Sequence, residues 1–414
     1  MARRVVDRCR WHHAAVRYQF GDVVLDTDRY ELRRAGEPVH VEPQVFDVLA
    51  HLLANRDRVV PKTELLDTVW GDRFVGESAL SSRIKAARQA VGDDGSAQKV
   101  IRTRHGRGYR FVADVRVADG EPRSRAGYGA PPLEQEIRFC TTSDGVRLAY
   151  ATVGHGPPLV RAAHWITHLD YDWHSPVWRH WLEGLANGRT LVRYDERGCG
   201  LSDHDIGKWS IDAFVHDLET VVDELGLGRF PLLGVSQGGP VAIAYADRHP
   251  ERVSRLVLIG SYAQGRRRRA RTEEERREAD LQVEIARVGW GRDDPTFRRF
   301  FTSSFIPDAS PELWDAFAEL LRRTTPAENA AQLMATWAEI DVTEAARPIE
   351  GPTLILHARD ELRAPFEQAR QLAALIPGSR LVPLDSRNHL LRPDEPAWRR
   401  FLEEVDAFLA EDED

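Results

Sequence analysis

Cysteine, lysine and long apolar runs are scarce in this sequence of 414 residues. Only three cysteines occur, Cys9, Cys140 and Cys199, and their odd number and wide spacing exclude a disulfide framework and a Cys/His metal cluster. No apolar run approaches the roughly 18 residues that a membrane-spanning helix needs. We therefore expect no metal, no membrane partner and no need of a cofactor.

The first sixteen residues also lack the apolar stretch of a secretory signal. An arginine pair, Arg3 and Arg4, is present, but no hydrophobic segment follows it. We read residues 1–16 as an N-terminal extension. The cysteine usage suits a reducing compartment, so the expected location is the cytoplasm.

Charge is unevenly distributed along the chain. Lysine occurs only at positions 62, 85, 99 and 208, so a run of arginines is a weak signal here. Residues 17–115 hold 16 basic and 15 acidic side chains, whereas residues 116–414 hold 37 and 49. The chain is also longer than one hydrophobic core usually organises, so we expect at least two domains of different charge.

The order of apolar patterns predicts where these domains lie. Residues 17–115 show short alternating segments, then three helical stretches and a closing hairpin, which predicts an α+β domain. Residues 116–134 are rich in Gly, Pro and Ser and read as a flexible linker. In residues 135–414, buried strands alternate with helices, which predicts a doubly wound, mostly parallel sheet. About 90 helical residues, roughly 262–346, exceed one crossover and read as an inserted lid.

The N-terminal domain concentrates basic residues on one helix and one hairpin. Residues 77–112 hold eight basic and three acidic side chains. Apolar Leu80, Ile84, Ala87 and Val91 recur at helical spacing and form a core stripe. A helix fits the major groove of DNA, and a basic hairpin can reach phosphates or the minor groove. The alternative is that these are ordinary solvated faces of an arginine-rich protein.

Residues 18–115 resemble the winged-helix output domain of OmpR-type response regulators. The matching marks are the N-terminal strands, the segment EPQVFDVLAHLLANRDRVVPKTELLDTVW, the helix ending RQAVGDD and the wing IRTRHGRGYRF. The resemblance implies duplex DNA as a partner and residues 80–91 as the recognition helix. The expected DNA-binding residues are Ser81, Ser82, Lys85 and Arg88 on the helix, and Arg102, Arg104, Arg107 and Tyr109 in the wing. The chain has no phospho-acceptor receiver domain, so something else must control DNA binding.

A GxSxG motif lies in the C-terminal part, where the strand FPLLGV runs into Ser236 and a helix follows. This strand, sharp turn and helix context marks a nucleophilic serine. The glycines are needed because the turn is strained and crowded. At the start of the helix, backbone N–H groups can stabilise an oxyanion.

A serine nucleophile needs a base and an acid. Of fifteen histidines, only His389 follows a late strand and precedes a closing helix, where the chain order nucleophile, acid, base requires it. His357 lies within a strand and reads as core, and His249 reads as structural. The acid should follow the strand TLILHA, where Asp360 and Glu361 are both candidates.

About 270 residues resemble the serine α/β-hydrolase superfamily, most closely its lidded, esterase-like members. Counting back four residues from Pro365, as in that family, favours Glu361 over Asp360 as the acid. The resemblance also implies backbone N–H groups of Trp165 and Gln237 as the oxyanion hole. Its DxRGxGxS loop recurs as Asp195, Arg197, Gly198, Gly200 and Ser202, which we interpret as a structural turn.

Two further features remain. The run RRRRAR at 266–271 could be a nucleic-acid patch, but the acids that follow it favour a solvated, ion-paired lid helix. Several tryptophans in the oxyanion loop and lid suggest a small apolar or aromatic ester-like ligand.

Three functions fit these features. The leading prediction is a transcription regulator whose hydrolase domain binds, and possibly hydrolyses, an ester-like or acyl-bearing molecule, and which could act as a homodimer. The alternatives are a serine esterase that the winged helix only tethers, and a receptor with negligible turnover.

Overall fold

The computed structural model describes residues 17–27, 31–39, 41–70, 77–104, 106–118, 133–294 and 296–411. The chain separates into two compact units, residues 1–129 and 130–414. The proposed N-terminal extension, residues 1–16, lies outside the described residues. In the described part of the chain, no helix is both long and apolar enough to cross a membrane.

The N-terminal unit combines an antiparallel sheet with three helices and a separate hairpin. Its strands are β1 Arg17–Phe20, β2 Val23–Asp26, β3 Glu31–Arg34, β4 Glu37–Pro38, β5 Ile101–Arg104, β6 Gly108–Phe111 and β7 Arg116–Ala118. Its helices are α1 Pro43–Ala54, α2 Lys62–Trp70 and α3 Glu77–Ala90. The sheet order is β4-β3-β2-β1-β7, and β5 pairs with β6. The predicted α+β winged-helix domain is confirmed.

The core of this unit follows the spacing seen in the sequence. Leu80, Ile84, Ala87 and Val91 are all buried, as the helical stripe predicts. They share one core with residues from β1, β2 and α1. The wing hairpin is anchored to this core because Tyr109 forms an antiparallel bridge with Val60.

The predicted linker, residues 116–134, begins too early. Residues 116–118 form β7, which pairs antiparallel with Arg17, Tyr18 and Gln19 of β1. The sequence has no local signal for this pairing, because the partner strand lies about a hundred residues upstream. Leu133 and Glu134 are described outside any strand or helix, and residues 119–132 lie outside the described residues.

The C-terminal unit is built on an eight-stranded sheet. Its strands are β8 Gln135–Thr141, β9 Arg147–Gly154, β10 Pro158–Arg161, β11 Thr190–Tyr194, β12 Phe230–Val235, β13 Val253–Ile259, β14 Thr353–Ala358 and β15 Arg380–Leu384. Their order is β15-β14-β13-β12-β10-β11-β9-β8. In this sheet, β9 pairs antiparallel with β8 and with β11, and the other neighbouring strands pair parallel. Strand β14 is buried on both faces, as expected for a parallel sheet covered by helices. The doubly wound α/β fold is thus confirmed.

Twelve helices of the described residues cover this sheet and form the lid. They are α4 Leu169–His174, α5 Arg179–Leu185, α6 Ile211–Glu224, α7 Gly238–Arg248, α8 Arg266–Arg269, α9 Glu273–Gly289, α10 Thr296–Phe305, α11 Pro311–Thr324, α12 Ala327–Glu339, α13 Thr343–Ala346, α14 Phe366–Leu375 and α15 Pro396–Ala410. Helices α8 to α13 lie between β13 and β14, in the segment predicted as a lid. Helix α9 begins with a capping box between Thr272 and Glu275, which satisfies its first N–H groups.

Candidate active site and DNA interface

Ser236 lies on the sharp turn between β12 and α7. Its backbone has φ +52°, in the left-handed region that non-glycine residues rarely adopt. The turn is crowded: a Cβ on Gly234 would lie 2.6 Å from the Cα of Gly239. The glycine of the motif at 234 is therefore required by close backbone packing. This geometry lifts the Ser236 side chain to the carboxyl end of the parallel sheet.

His389 and Glu361 reach the same end of the sheet from neighbouring strands. Glu361 follows β14 and His389 follows β15, and His389 Nδ1 lies 2.9 Å from Glu361 Oε2. Both side chains are almost completely buried. Asp360, the other candidate acid, is exposed. The structure brings Glu361, and not Asp360, against the imidazole.

A second histidine holds the other oxygen of this carboxylate. His357 Nε2 lies 3.2 Å from Glu361 Oε1, which also accepts a hydrogen bond from the Ala364 N–H at 2.9 Å. Burial acts to raise the pKa of Glu361, but the charges and hydrogen bonds of His389 and His357 outweigh it and hold the pKa at about 2. His357 is buried in the core, as the sequence suggested. The sequence does not predict the contact between His357 and Glu361, because it shows only that a strand ends between these two residues.

The serine and the imidazole are not hydrogen-bonded to each other. Ser236 Oγ instead donates to Gln237 Oε1 at 2.8 Å, and His389 Nε2 has no hydrogen-bond partner among the described residues. All three side chains line one pocket. In unliganded sites such bonds are often long or unformed and tighten only with substrate.

The two residues expected to supply backbone donors to an oxyanion are Gln237 and Trp165. Gln237 is the N-cap of α7, where unpaired N–H groups give a partial positive charge. Trp165 follows β10 and is buried. Both residues line the pocket that contains Ser236.

The DxRGxGxS segment forms a tightly bonded loop. Arg197 donates to Asp217 at 2.6 Å and to Asp144 at 2.9 Å. Asp195 accepts from the Leu201 N–H at 2.8 Å, and burial raises its pKa to about 8. These bonds lie within the fold, in agreement with its interpretation as a structural turn.

The pocket beside Ser236 has aromatic walls and three guanidinium groups. Its aromatic side chains are those of Trp165, Tyr262 and Trp337. The guanidinium groups belong to Arg266, Arg269 and Arg363. The prediction of a solvated, ion-paired helix at 266–271 is therefore wrong for Arg269, which is half-buried and has no carboxylate partner among the described residues. For Arg266 it is wrong only in part, because that side chain is half-buried but pairs with Glu278 at 3.4 Å. Their spacing of three residues puts them on one face, a signal that the sequence contained.

The predicted DNA-binding residues separate into two groups. The side chains of Ser81, Ser82 and Lys85 on α3 are exposed, as are those of Arg102, Arg104 and Arg107 in the wing. Arg88 is instead buried, and it donates to Ile101 O at 2.8 Å and Thr103 Oγ1 at 2.9 Å. Tyr109 is buried in the core of the unit. Both are wrong as DNA-contacting residues, because their side chains join the helix, the wing and the core.

In the part of the chain that the structure describes, no three His, Cys, Asp or Glu side chains are grouped so that they could hold a metal ion. Cys140 and Cys199 are buried free thiols. Burial raises the pKa of Cys140 to about 11. The candidate nucleophile is therefore the serine.

Family models match both units. One described as alpha/beta hydrolase fold matches residues 166–396, and one described as the C-terminal part of transcriptional regulatory proteins matches residues 36–111. Pyrrolizixenacetamide deacetylase of Xenorhabdus hominickii is 26% identical over 255 residues, which are 60% of this chain and 91% of that protein. Transcriptional regulator HilA of Salmonella typhi is 37% identical over 99 residues, 24% of this chain and 18% of that protein.

Solved structures agree with the hydrolase assignment. An esterase from Exiguobacterium antarcticum superposes with a TM-score of 0.57 at 25% identity, covering 66% of this chain and 99% of that one. An esterase from Rhodococcus has a TM-score of 0.55 at 26% identity, covering 66% and 98%. The chain is thus a DNA-binding domain of OmpR type fused to a hydrolase unit with esterase-like relatives.

Proposed function

We propose that the chain is a transcription regulator that binds and hydrolyses a small ester-like or acyl-bearing molecule. It belongs to the alpha/beta hydrolase fold family, and a DNA-binding domain precedes that fold in the sequence. The observation that supports hydrolysis is the placement of Ser236, His389 and Glu361 after β12, β15 and β14 at one end of the sheet, with the first two lining one pocket. The observation that supports DNA binding is the exposed basic side chains of the wing and α3.

In the proposed reaction, Ser236 Oγ attacks the acyl carbon while His389 Nε2 accepts its proton. Glu361 holds the imidazole through Nδ1 and stabilises its charged form. The backbone N–H groups of Trp165 and Gln237 stabilise the oxyanion. His389 then protonates the leaving alcohol. Water, deprotonated by His389, then attacks the acyl-serine, and His389 passes this proton to Ser236 Oγ as the acid is released.

One observation favours a second candidate, a receptor with very slow turnover. The Ser236 hydroxyl is held by the Gln237 side chain instead of by His389. To act as a nucleophile it must exchange that bond for one to the base. A receptor would retain an acyl group on Ser236, or bind its ligand without reaction.

A fluorophosphonate probe tests the nucleophile. The wild-type chain should be labelled on Ser236, as mapped by mass spectrometry, and should hydrolyse 4-nitrophenyl acetate. Ser236→Ala should lose both while keeping its circular dichroism spectrum. Ser303→Ala is the matched control, because within the described residues that hydroxyl bonds only to the Phe300 carbonyl of its own helix. Labelling at another serine contradicts the site, and labelling without turnover supports the receptor.

A further inference from the structure

Building on the proposed function, we infer that the natural ligand carries a carboxylate or an equivalent anionic group, which Arg266, Arg269 and Arg363 bind at the pocket beside Ser236. We call these three residues the arginine cluster. The sequence suggested an apolar or aromatic ester, and the aromatic walls agree with it. The arginine cluster adds a specific charge requirement.

Helix α8 divides its four consecutive arginines between two environments. Arg267 contacts Asp280 at 2.9 Å and also pairs with Glu339, and Arg268 lies 3.2 Å from Asp341. These two therefore pair with carboxylates of the surrounding lid. Arg266 and Arg269, one turn apart, are half-buried and line the pocket. Of these two pocket-lining arginines, only Arg266 has a carboxylate partner among the described residues.

The charges on the pocket side are poorly compensated. Arg269 donates to the backbone oxygen of Gln264 at 2.9 Å and has no carboxylate within 4 Å in the described part of the chain. Arg266 has one carboxylate partner, the largely exposed Glu278 at 3.4 Å, and it also donates to the backbone oxygen of Arg363 at 3.1 Å. Partly buried guanidinium groups without acidic partners lose hydration, and a bound anion would restore the lost interaction energy.

Arg363 completes the cluster from a different element. It lies in the loop after β14, two residues beyond Glu361, and no described carboxylate is within 4 Å of it. Its protein contacts are a long hydrogen bond of 3.5 Å to Gln282 Oε1 and the ring of Phe305 at 4.5 Å. Burial and the neighbouring charge of Arg266 lower its pKa to about 9, so the group is still charged at neutral pH.

No acidic side chain lines this pocket in the structure as described. The nearest carboxylate in the loop, Glu361, is occupied by His389 and His357. Guanidinium groups match carboxylates in planar, bidentate geometry and bind them more strongly than neutral acceptors. The pocket therefore fits a monoester or other acyl compound with one free carboxylate, placed on the acyl or the alcohol side of the scissile bond.

Matched esters test the charge requirement. The acyl-side pair is mono-4-nitrophenyl glutarate and 4-nitrophenyl pentanoate, and the alcohol-side pair is 4-acetoxybenzoate and phenyl acetate. In the wild-type chain, kcat/KM should be at least about tenfold higher for the anionic member of one pair, as expected for a charge-assisted contact. No preference in either pair would overturn the inference.

Arginine variants assign the preference to the cluster. Arg363→Met and Arg269→Met should lower kcat/KM much more for the anionic ester than for the neutral one, so that their ratio approaches one. Arg268→Met, the control on the opposite side of α8, should keep the wild-type ratio. Equal losses for both esters together with a lower Tm would mean a structural role and would contradict the inference.

Binding to Ser236→Ala separates this inference from the proposed hydrolysis. Titration with monomethyl glutarate and methyl pentanoate, followed by tryptophan fluorescence, requires no turnover. The anionic compound should bind at least about tenfold more tightly, and adding Arg363→Met should remove the difference. Selective binding without wild-type hydrolysis would contradict only the proposed reaction. Hydrolysis with equal affinities would contradict only the anionic ligand.

Discussion

Glu361 is the residue on which the geometry of the proposed active site depends most. Its two oxygens contact two histidines, and the Ala364 N–H fixes the carboxylate from a third side. A carboxylate held in this way can orient His389 so that Nε2 faces the serine. The adjacent Asp360 is exposed, and in the described structure its side chain makes no hydrogen bond to His389 or His357.

Replacing Glu361 or Asp360 with its neutral amide should therefore have very different effects on ester hydrolysis. Glu361→Gln should lower kcat/KM for ester hydrolysis by about 10³-fold or more, because a neutral amide no longer stabilises the imidazolium form. Asp360→Asn should remain within about twofold of wild type. Steady-state kinetics at pH 7.5 measure both. Equal small losses would place the acid elsewhere.

Helix α3 and the wing are joined by the side chain of Arg88, which the sequence predicted to contact DNA. Arg88 crosses from α3 to β5 and satisfies the Ile101 carbonyl from inside the unit. Arg104 and Arg107, in contrast, extend from the hairpin into solvent. Substitutions at these positions should therefore produce different effects.

Arg88→Ala should lower the stability of the N-terminal unit by about 1–3 kcal/mol, since it leaves buried acceptors unpaired. Arg104→Ala and Arg107→Ala should leave Tm unchanged and weaken binding to duplex DNA of any sequence. Fluorescence anisotropy across a salt series measures the effect: each loss of one phosphate contact should reduce the log–log slope by about one. Wing variants with an unchanged slope would contradict a phosphate-binding wing.

The same elements show what sequence patterns can and cannot predict. The GxSxG turn and the stripe on α3 depend on local spacing, and the sequence contains that spacing. The chain order nucleophile, acid, base pointed to His389, but the residues alone left both Asp360 and Glu361 as the acid. Pairing of β7 with β1 and the inward turn of Arg88 depend on partners far along the chain. The division of α8 likewise depends on where α9 and α12 place their carboxylates.

For the whole molecule, regulation requires that the ligand distinguish DNA-competent from DNA-incompetent states. In the proposed function, the hydrolase unit is the part of the chain that binds this ligand. One route is that lid closure changes how two copies pair, because two winged helices on one duplex gain avidity from effective concentration. Coupling must be reciprocal, so DNA must change ligand affinity by the same factor.

Ser236→Ala provides a form in which the ligand is not consumed. With saturating monomethyl glutarate, its affinity for a mixed-sequence 30-base-pair duplex should shift by about fivefold or more, in either direction. Anisotropy gives the affinity, and analytical ultracentrifugation gives the oligomeric state. Wild type without ligand is the control. Coincident binding curves with unchanged association would mean that the two units act independently.

The left-handed backbone at Ser236 lowers the thermal stability of the hydrolase unit, although the proposed reaction requires a serine at this position. A non-glycine residue in this conformation costs roughly 1–2 kcal/mol, which glycine does not incur. Ser236→Gly and Ser236→Ala both lose the hydroxyl, and they differ mainly in whether this strain remains. The hydrolase unit of the glycine variant should melt about 2 °C or more above that of the alanine variant. Selection for heat resistance alone would therefore favour a glycine at the one position where the proposed chemistry requires a serine.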